Sequence, residues 1–179
     1  MLKKIGFVVL IVVAAFLAYA VTRPDSLRVE RTATIKAPPD KIYPLITDLR
    51  KWSAWSPWEK RDPAMKRTFS GADSGKGAVY AWAGNSEVGE GRMEIIEAAP
   101  PSKVGIKLDF IKPLEGHNLA VFTLTPKGDT TDVSWVMTGP TPFIGKVLGV
   151  FMDMDKMIGN DFEAGLTNLK AAAEKQAGA

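Results

Sequence analysis

Residues Ile144–Glu174, IGKVLGVFMDMDKMIGNDFEAGLTNLKAAAE, decide how the chain must fold. Val147, Val150, Phe151, Met154, Met157, Ile158, Phe162, Leu166 and Leu169 recur at three- and four-residue spacing and trace one apolar stripe. Asp153, Asp155, Lys156, Asn160, Glu163 and Lys170 fall on the opposite side. The pattern predicts a single amphipathic helix roughly 45 Å long. Gly149, Gly159 and Gly165 interrupt it, each at about 1 kcal/mol relative to alanine. They imply a bend, a close backbone approach or room beside a neighbouring layer. A stripe of this length has to be buried against something.

The preceding residues supply the partner. Val104, Ile106, Leu108 and Phe110 alternate strictly with Gly105, Lys107 and Asp109, the period-two signature of a half-buried strand. Upstream, Met65–Phe69, Ala78–Ala83 and Val88–Ala98 read as strands, the last with Gly91, Met93 and Ile95 on one face and Glu90, Arg92 and Glu94 on the other. Downstream, Asn118–Thr125 and Val133–Met137 continue the pattern. Gly84-Asn85-Ser86, Pro100-Pro101-Ser102, Lys112–Gly116 and Lys127-Gly128-Asp129 are turns, and such short connections imply an antiparallel meander. Before these strands, Leu27–Lys36 reads as a strand with Leu27, Val29, Ala33 and Ile35 on one side. Ala37-Pro38-Pro39-Asp40 then opens a helix striped by Ile42, Leu45, Ile46 and Leu49. A second short helical piece covers Leu49–Trp55 and ends at Ser56-Pro57-Trp58. The predicted class is α+β: a curved antiparallel sheet of about seven strands around a long C-terminal helix.

The chain begins differently. Lys3 and Lys4 precede an unbroken apolar run, Ile5–Val21, closed by Thr22, Arg23, Pro24 and Asp25. As a helix the run spans about 25 Å, the short end of what crosses a bilayer. Residues 1–23 therefore read as a membrane anchor or as a signal peptide. The run exceeds the roughly 7–15 residues of a signal-peptide core, whereas Ala18-Tyr19-Ala20 fits a cleavage site. Lys3 and Lys4 favour a cytoplasmic N-terminus. The expected location is a bacterial inner membrane, single-pass, with residues 24–179 on the periplasmic side. The alternative is a secreted or periplasmic protein after cleavage near Ala20.

Composition excludes several chemistries. There is no cysteine, which removes disulfides, thiolate metal sites and cysteine nucleophiles, and His117 is the single histidine. No metal site is expected, because carboxylates do not cluster at ligand-like spacing. The formal net charge of +3 is small and dispersed, so no nucleic-acid partner is expected. Gly89-Glu90-Gly91 precedes more strand rather than a helix and is not a phosphate loop. No G-x-S-x-G occurs.

Several stretches resemble a known superfamily, the START-related fold labelled SRPBCC, and within it the bacterial polyketide cyclase/dehydrase-like branch. They are Ala37-Pro38-Pro39-Asp40-Lys41-Ile42, Trp52-Ser53-Ala54-Trp55-Ser56-Pro57-Trp58, Gly75-Lys76-Gly77-Ala78-Val79-Tyr80-Ala81-Trp82, Gly89-Glu90-Gly91-Arg92-Met93, and Met154-Asp155-Lys156-Met157-Ile158-Gly159-Asn160-Asp161-Phe162-Glu163. The likeness spans about Val29–Ala173. It implies a helix-grip fold that holds a hydrophobic ligand between sheet and helix; separately, no cofactor is expected. The family label implies no activity here, and the branch supplies no invariant catalytic set to carry over.

The residues expected to line such a site are Tyr80, Trp82, Met93, Leu108, Phe110, Phe122, Trp135, Met137, Phe151, Met154, Met157 and Ile158. Each reads equally as core. Trp52, Trp55 and Trp58, at spacing three, read either as core or as a lid at the entrance. Glu90 and Arg92 become acid/base candidates only if their strand takes the opposite phase. Three functions stay open: a membrane-tethered module binding a lipid or other apolar small molecule, a polyketide cyclase or dehydratase-like enzyme, and a scaffold or chaperone-like domain with a protein partner.

Overall fold

The computed structural model describes residues 2–177. Helix α1, Leu2–Val21, leads into strand β1, Ser26–Ile35. Helix α2, Pro39–Thr47, follows, then two 3₁₀ turns at Leu49–Ala54 and Pro57–Lys60. Six strands come next: β2, Lys66–Gly71; β3, Ala78–Ala83; β4, Glu90–Ala99; β5, Lys103–Lys112; β6, Gly116–Lys127; and β7, Thr130–Pro140. Helices α3, Phe143–Phe151, and α4, Met154–Ala177, complete the chain. The strands form one antiparallel sheet in the order β1-β7-β6-β5-β4-β3-β2. The expected α+β helix-grip architecture is the one observed.

The sheet closes its chain order by pairing β1 with β7, so the helical segment between β1 and β2 crosses from one edge to the other. A register shift between Ile95 and Glu97 bends β4. The alternation read from sequence sets the inner face: Tyr80 and Trp82 on β3, Met93 and Ile95 on β4, Phe122 and Leu124 on β6, Val133, Trp135 and Met137 on β7 are all buried. Glu90, Arg92 and Glu94 take the outer face.

The C-terminal stripe forms two helices rather than one. Met152 adopts an extended conformation (φ −122°, ψ 128°), and the Asp153 carboxylate accepts from the backbone N–H of Lys156 at 2.9 Å. Asp153 therefore caps the new start, satisfying a donor that a helix N-terminus leaves open. The helical piece from Leu49 ends at Trp55–Ser56 as expected, and Pro57 opens a separate second 3₁₀ turn. His117 sits within β6 rather than in the hairpin turn.

The glycines of α4 mark close approaches. A side chain at Gly159 would overlap the guanidinium of Arg31, which passes beneath the helix. A Cβ at Gly165 would lie 2.9 Å from the Trp135 ring. That approach lets Phe162, one turn earlier, stack flat on Trp135 with ring centroids 3.9 Å apart and planes within 6°. Phe122 stacks below it at 4.7 Å. Each such aromatic pair adds about 0.5–1.5 kcal/mol beyond its buried area.

The tryptophans at spacing three fit this plan through 3₁₀ geometry, in which residues i and i+3 eclipse. Trp52 and Trp55 therefore lie side by side, with centroids 4.6 Å apart. Their indole N–H groups donate to Ile46 and Leu45 carbonyls, each at 2.9 Å, which answers acceptors left open at the end of α2. Asn168 of α4 donates to the Trp55 carbonyl at 3.0 Å, tying helix to turn.

Replacing Gly165 with valine should overpack this contact and lower stability by about 2–3 kcal/mol. Ala164→Val, one residue away on the exposed side, should cost under about 1 kcal/mol. Denaturant unfolding of the detergent-solubilised chain, followed by near-UV circular dichroism, measures both. Equal losses would contradict the close-approach account.

Candidate functional site

Trp52, Trp55, Trp58, Phe122, Trp135 and Phe162 meet edge-on or stacked between sheet and α4. They fill the half of the grip distant from α1. Trp55 is fully buried and Trp52 nearly so, packed in the core rather than at an entrance; Trp58 is half-buried.

The other half of the inner face is looser. Leu27, Leu108, Phe110 and Ile158 are only half-buried there, above the buried Trp82, Met93 and Met137. The indole of Trp82 lies across Gly91, where any Cβ would stand 2.4 Å from the ring, and it meets Phe110 edge-on at 6.0 Å. Asn118 adds a polar group to this end, its amide leaning over Gly139 of β7. Ser26 pairs with Pro140 and Leu27 with Gly139, so this is the end at which α1 joins the sheet. Helix α3 packs against α1 at the same junction and has no fully buried residue.

A groove of about 560 Å³ opens at the same junction, between Arg23 and Pro24, the start of β1, α3 and the first turn of α4. Leu27, Val150, Phe151, Met152 and Met154 give it apolar walls. Its charges are tied to neighbours: Lys146 pairs with Asp25, and Asp155 with Arg31 at 3.0 Å. The volume lies within the roughly 300–1,000 Å³ of small-molecule sites.

The expected lining residues thus separate. Phe122 and Trp135 belong to the closed aromatic half, while Tyr80, Trp82, Met93 and Met137 are core floor. Leu108, Phe110, Met154 and Ile158 border the looser end. Met157 and Phe151 face outward, at 45% and 77% exposure. For Phe151 the break at Met152–Asp153 is the cause, because it rotates α3 away from the stripe that α4 buries; Met157 lies in α4 itself, off its buried side.

Glu90 and Arg92 lie on the outer sheet face, paired with Lys112 and Glu94, each at 2.7 Å. The inward phase that an acid/base role requires is not the one adopted. The polar cluster that does reach the inner face was not anticipated. Tyr80 donates to Glu59 at 2.6 Å, and Arg67 bridges the same carboxylate at 2.7 Å. Burial, then the hydrogen bond to Glu59, pushes the Tyr80 phenol well above its ordinary value, so the phenol stays a proton donor at neutral pH. Arg31 was also missed. It lies on the inner side of β1 and clamps α4 through Asp155 and through Glu163 at 2.7 Å. Finally, Trp135 Nε1 and the Tyr43 hydroxyl are buried polar atoms without a partner among the described residues.

Residues 26–174 match the family described as polyketide cyclase / dehydrase and lipid transport, and the chain belongs to it. Among solved structures it is similar to protein CV1439 from Chromobacterium violaceum, at 18% identity and TM-score 0.59, over 85% of this chain and 99% of that one. The Aha1 dimer from Colwellia psychrerythraea gives 17% identity and TM-score 0.59, over 83% and 96%. The di-domain ARO/CYC StfQ from the steffimycin biosynthetic pathway gives 16% identity and TM-score 0.64, over 86% of this chain and 53% of that one. At these identities the structures establish the fold alone. No curated protein matches the chain.

His117, beside Asp109 at 2.8 Å on the outer face, gives a pH test of the strand pairing. The bond to Asp109 raises its imidazole above the ordinary 6.5. A raised folded-state value means that the pair's contribution is fully present below the unfolded histidine value and is lost as pH rises through the folded one. NMR titration of this single histidine should give a midpoint above 6.5, and Asp109→Asn should return it downward. A midpoint at or below 6.5 in the parent chain would contradict the pairing.

Proposed function

We propose that the chain is a membrane-tethered carrier or receptor for an apolar small molecule, lipid or otherwise, which it holds at the anchor-side end of the grip. In this reading residues 1–23 are the tether and residues 24–179 the binding domain, held outside the cytoplasmic membrane of a bacterium by the Lys3–Lys4 side staying within. The carrying observation is the unequal packing of the inner face. Aromatic stacking closes one half, while Leu27, Leu108, Phe110 and Ile158 leave the other half-covered beside a groove of ligand size. Family membership supports an apolar cargo, since the family description joins cyclases and lipid transport. Helix α1 supports the tether, because Lys3–Val21 is long and apolar enough to cross a bilayer.

The methionines suit this role. Met93 and Met137 form part of the floor, and an unbranched thioether adapts to variable apolar shapes. The unpartnered Trp135 Nε1 is a donor that an oxygen-bearing ligand reaching inward would satisfy; a buried donor left unmatched costs about 1–3 kcal/mol.

A second reading, an enzyme acting on a polyketide-type substrate, draws on the Tyr80–Glu59–Arg67 cluster. A phenol kept protonated by burial can polarise a carbonyl or hydroxyl oxygen on the inner face that takes over the hydrogen bond now accepted by Glu59. Turnover that falls in Glu59→Gln and Tyr80→Phe while ligand retention stays would select this reading.

Purification of the full chain in mild detergent, followed by native mass spectrometry and organic extraction, tests the main reading. A stoichiometric apolar molecule should travel with the parent chain and be depleted in Leu108→Lys, which places a charge on the half-buried wall. A chain that carries nothing and takes up none of a panel of fatty acids, phospholipids and aromatic polyketides would sink it.

A further inference from the structure

Most of the exposed large apolar side chains outside α1 are gathered at one end of the domain; Ile96 of β4 and Leu119 of β6 are the two that lie apart. Phe143, Ile144, Phe151 and Met152 belong to α3 and its exit, Met157 to the first turn of α4, and Ile111 and Leu114 to the tip of the β5–β6 hairpin. Strand register places these together. Leu119 of β6 pairs with Thr138, so β6 begins where β7 ends, and the β5–β6 tip projects past Pro140 on the side of the α1 junction. At the opposite end the β4–β5 and β6–β7 turns present Ser102, Lys103, Lys127 and Asp129 instead. Soluble surfaces rarely gather large apolar groups this way without a partner.

Helix α3 has the composition of an element that rests in a bilayer interface. Its sequence, FIGKVLGVF, contains one charge, Lys146, and that charge is tied to Asp25 and left only 11% exposed. None of its residues is fully buried, and Phe143, Ile144 and Phe151 are exposed. It is instead attached to α1: Phe16 meets Phe151 with ring centroids 5.3 Å apart, and Arg23 reaches the Gly149 carbonyl at 3.4 Å. Phe16 lies five residues before Val21, the last of α1, which at the helical rise puts the contact about 8 Å below the helix end. Interfacial helices sit about 5–10 Å into the boundary of headgroups and acyl chains.

We infer that α3 and the tip of the β5–β6 hairpin form a bilayer-contact face, so that the looser end of the grip opens against the lipid surface that α1 crosses. The inference rests on the tether proposed above. Its occupant is the bilayer itself, held by apolar burial rather than by charge. Lys112 at the tip is paired with Glu90 and Asp155 with Arg31, and the exposed Glu115 and Asp153 offset Arg23 and Lys156. Contact should accordingly persist in purely zwitterionic lipid.

The chain has no cysteine, so single cysteines can be placed at will. Full-length Ile144→Cys, Leu114→Cys, Leu10→Cys, Ser102→Cys and Lys127→Cys would carry a fluorophore in phosphatidylcholine nanodiscs, with quenchers on the lipid chains. Expected is strong quenching at positions 10, 144 and 114, several-fold above positions 102 and 127, and unchanged when anionic lipid is added. Quenching at position 10 with none at 144 and 114 would overturn the contact face and leave the tether standing. No quenching at position 10 would overturn both, whereas ligand retention measured by extraction would stay an independent result. Quenching at 144 and 114 only with anionic lipid would overturn the apolar basis.

Discussion

Everything in the domain is arranged around the flat stack of Phe162 on Trp135. The indole stands on β7, which is central to the chain's long-range organisation because it joins the first strand to the last hairpin. Phe122 supports it from below, Trp55 and Trp58 meet it edge-on, and α4 crosses above at Gly165. Removing a Cβ at one helical position lets a backbone reach the benzo edge of the indole, and that approach fixes the height of the helix over the sheet. Dispersion between such flat surfaces is dense and needs no water.

The same stack divides the grip. Where it is complete, sheet and helix have no free apolar surface to offer a ligand. Toward the α1 junction, α4 is held by charge instead: Arg31 rises from β1 between Asp155 and Glu163. A partly exposed clamp of this kind fixes position more than it adds stability. The residues around it remain half-covered. An apolar molecule would therefore enter from the membrane-facing end and stop at the aromatic wall. The arrangement explains how one inner face serves as both core and candidate site.

Much of this was legible in the chain. Strict alternation in Val104–Phe110 and the turn residues between strands gave the antiparallel sheet, and the run Ile5–Val21 gave α1. The break between α3 and α4 was hidden because the apolar stripe continues in phase across Met152 and Asp153. Only the capping aspartate signalled it. Arg31 was invisible to a reading that counted apolar residues on β1, since its inward direction is justified by partners more than a hundred positions away. Glu59 had no signal either, because a 3₁₀ turn carries no hydrophobic period long enough to assign a face. The tryptophans at spacing three were noticed, but their role follows only once the turn is known to be 3₁₀, where that spacing means side by side. The candidate site was legible as a set of apolar residues, and not as two halves.

Methyl NMR of the full chain in nanodiscs, before and after addition of a fatty acid, tests this division most directly. The account predicts that Met137 and Ile158, at the anchor-side end, shift strongly while Ile35 and Ile42, beyond the aromatic wall, hold their positions. Shifts at Ile35 and Ile42, or none at Met137 and Ile158, would contradict it.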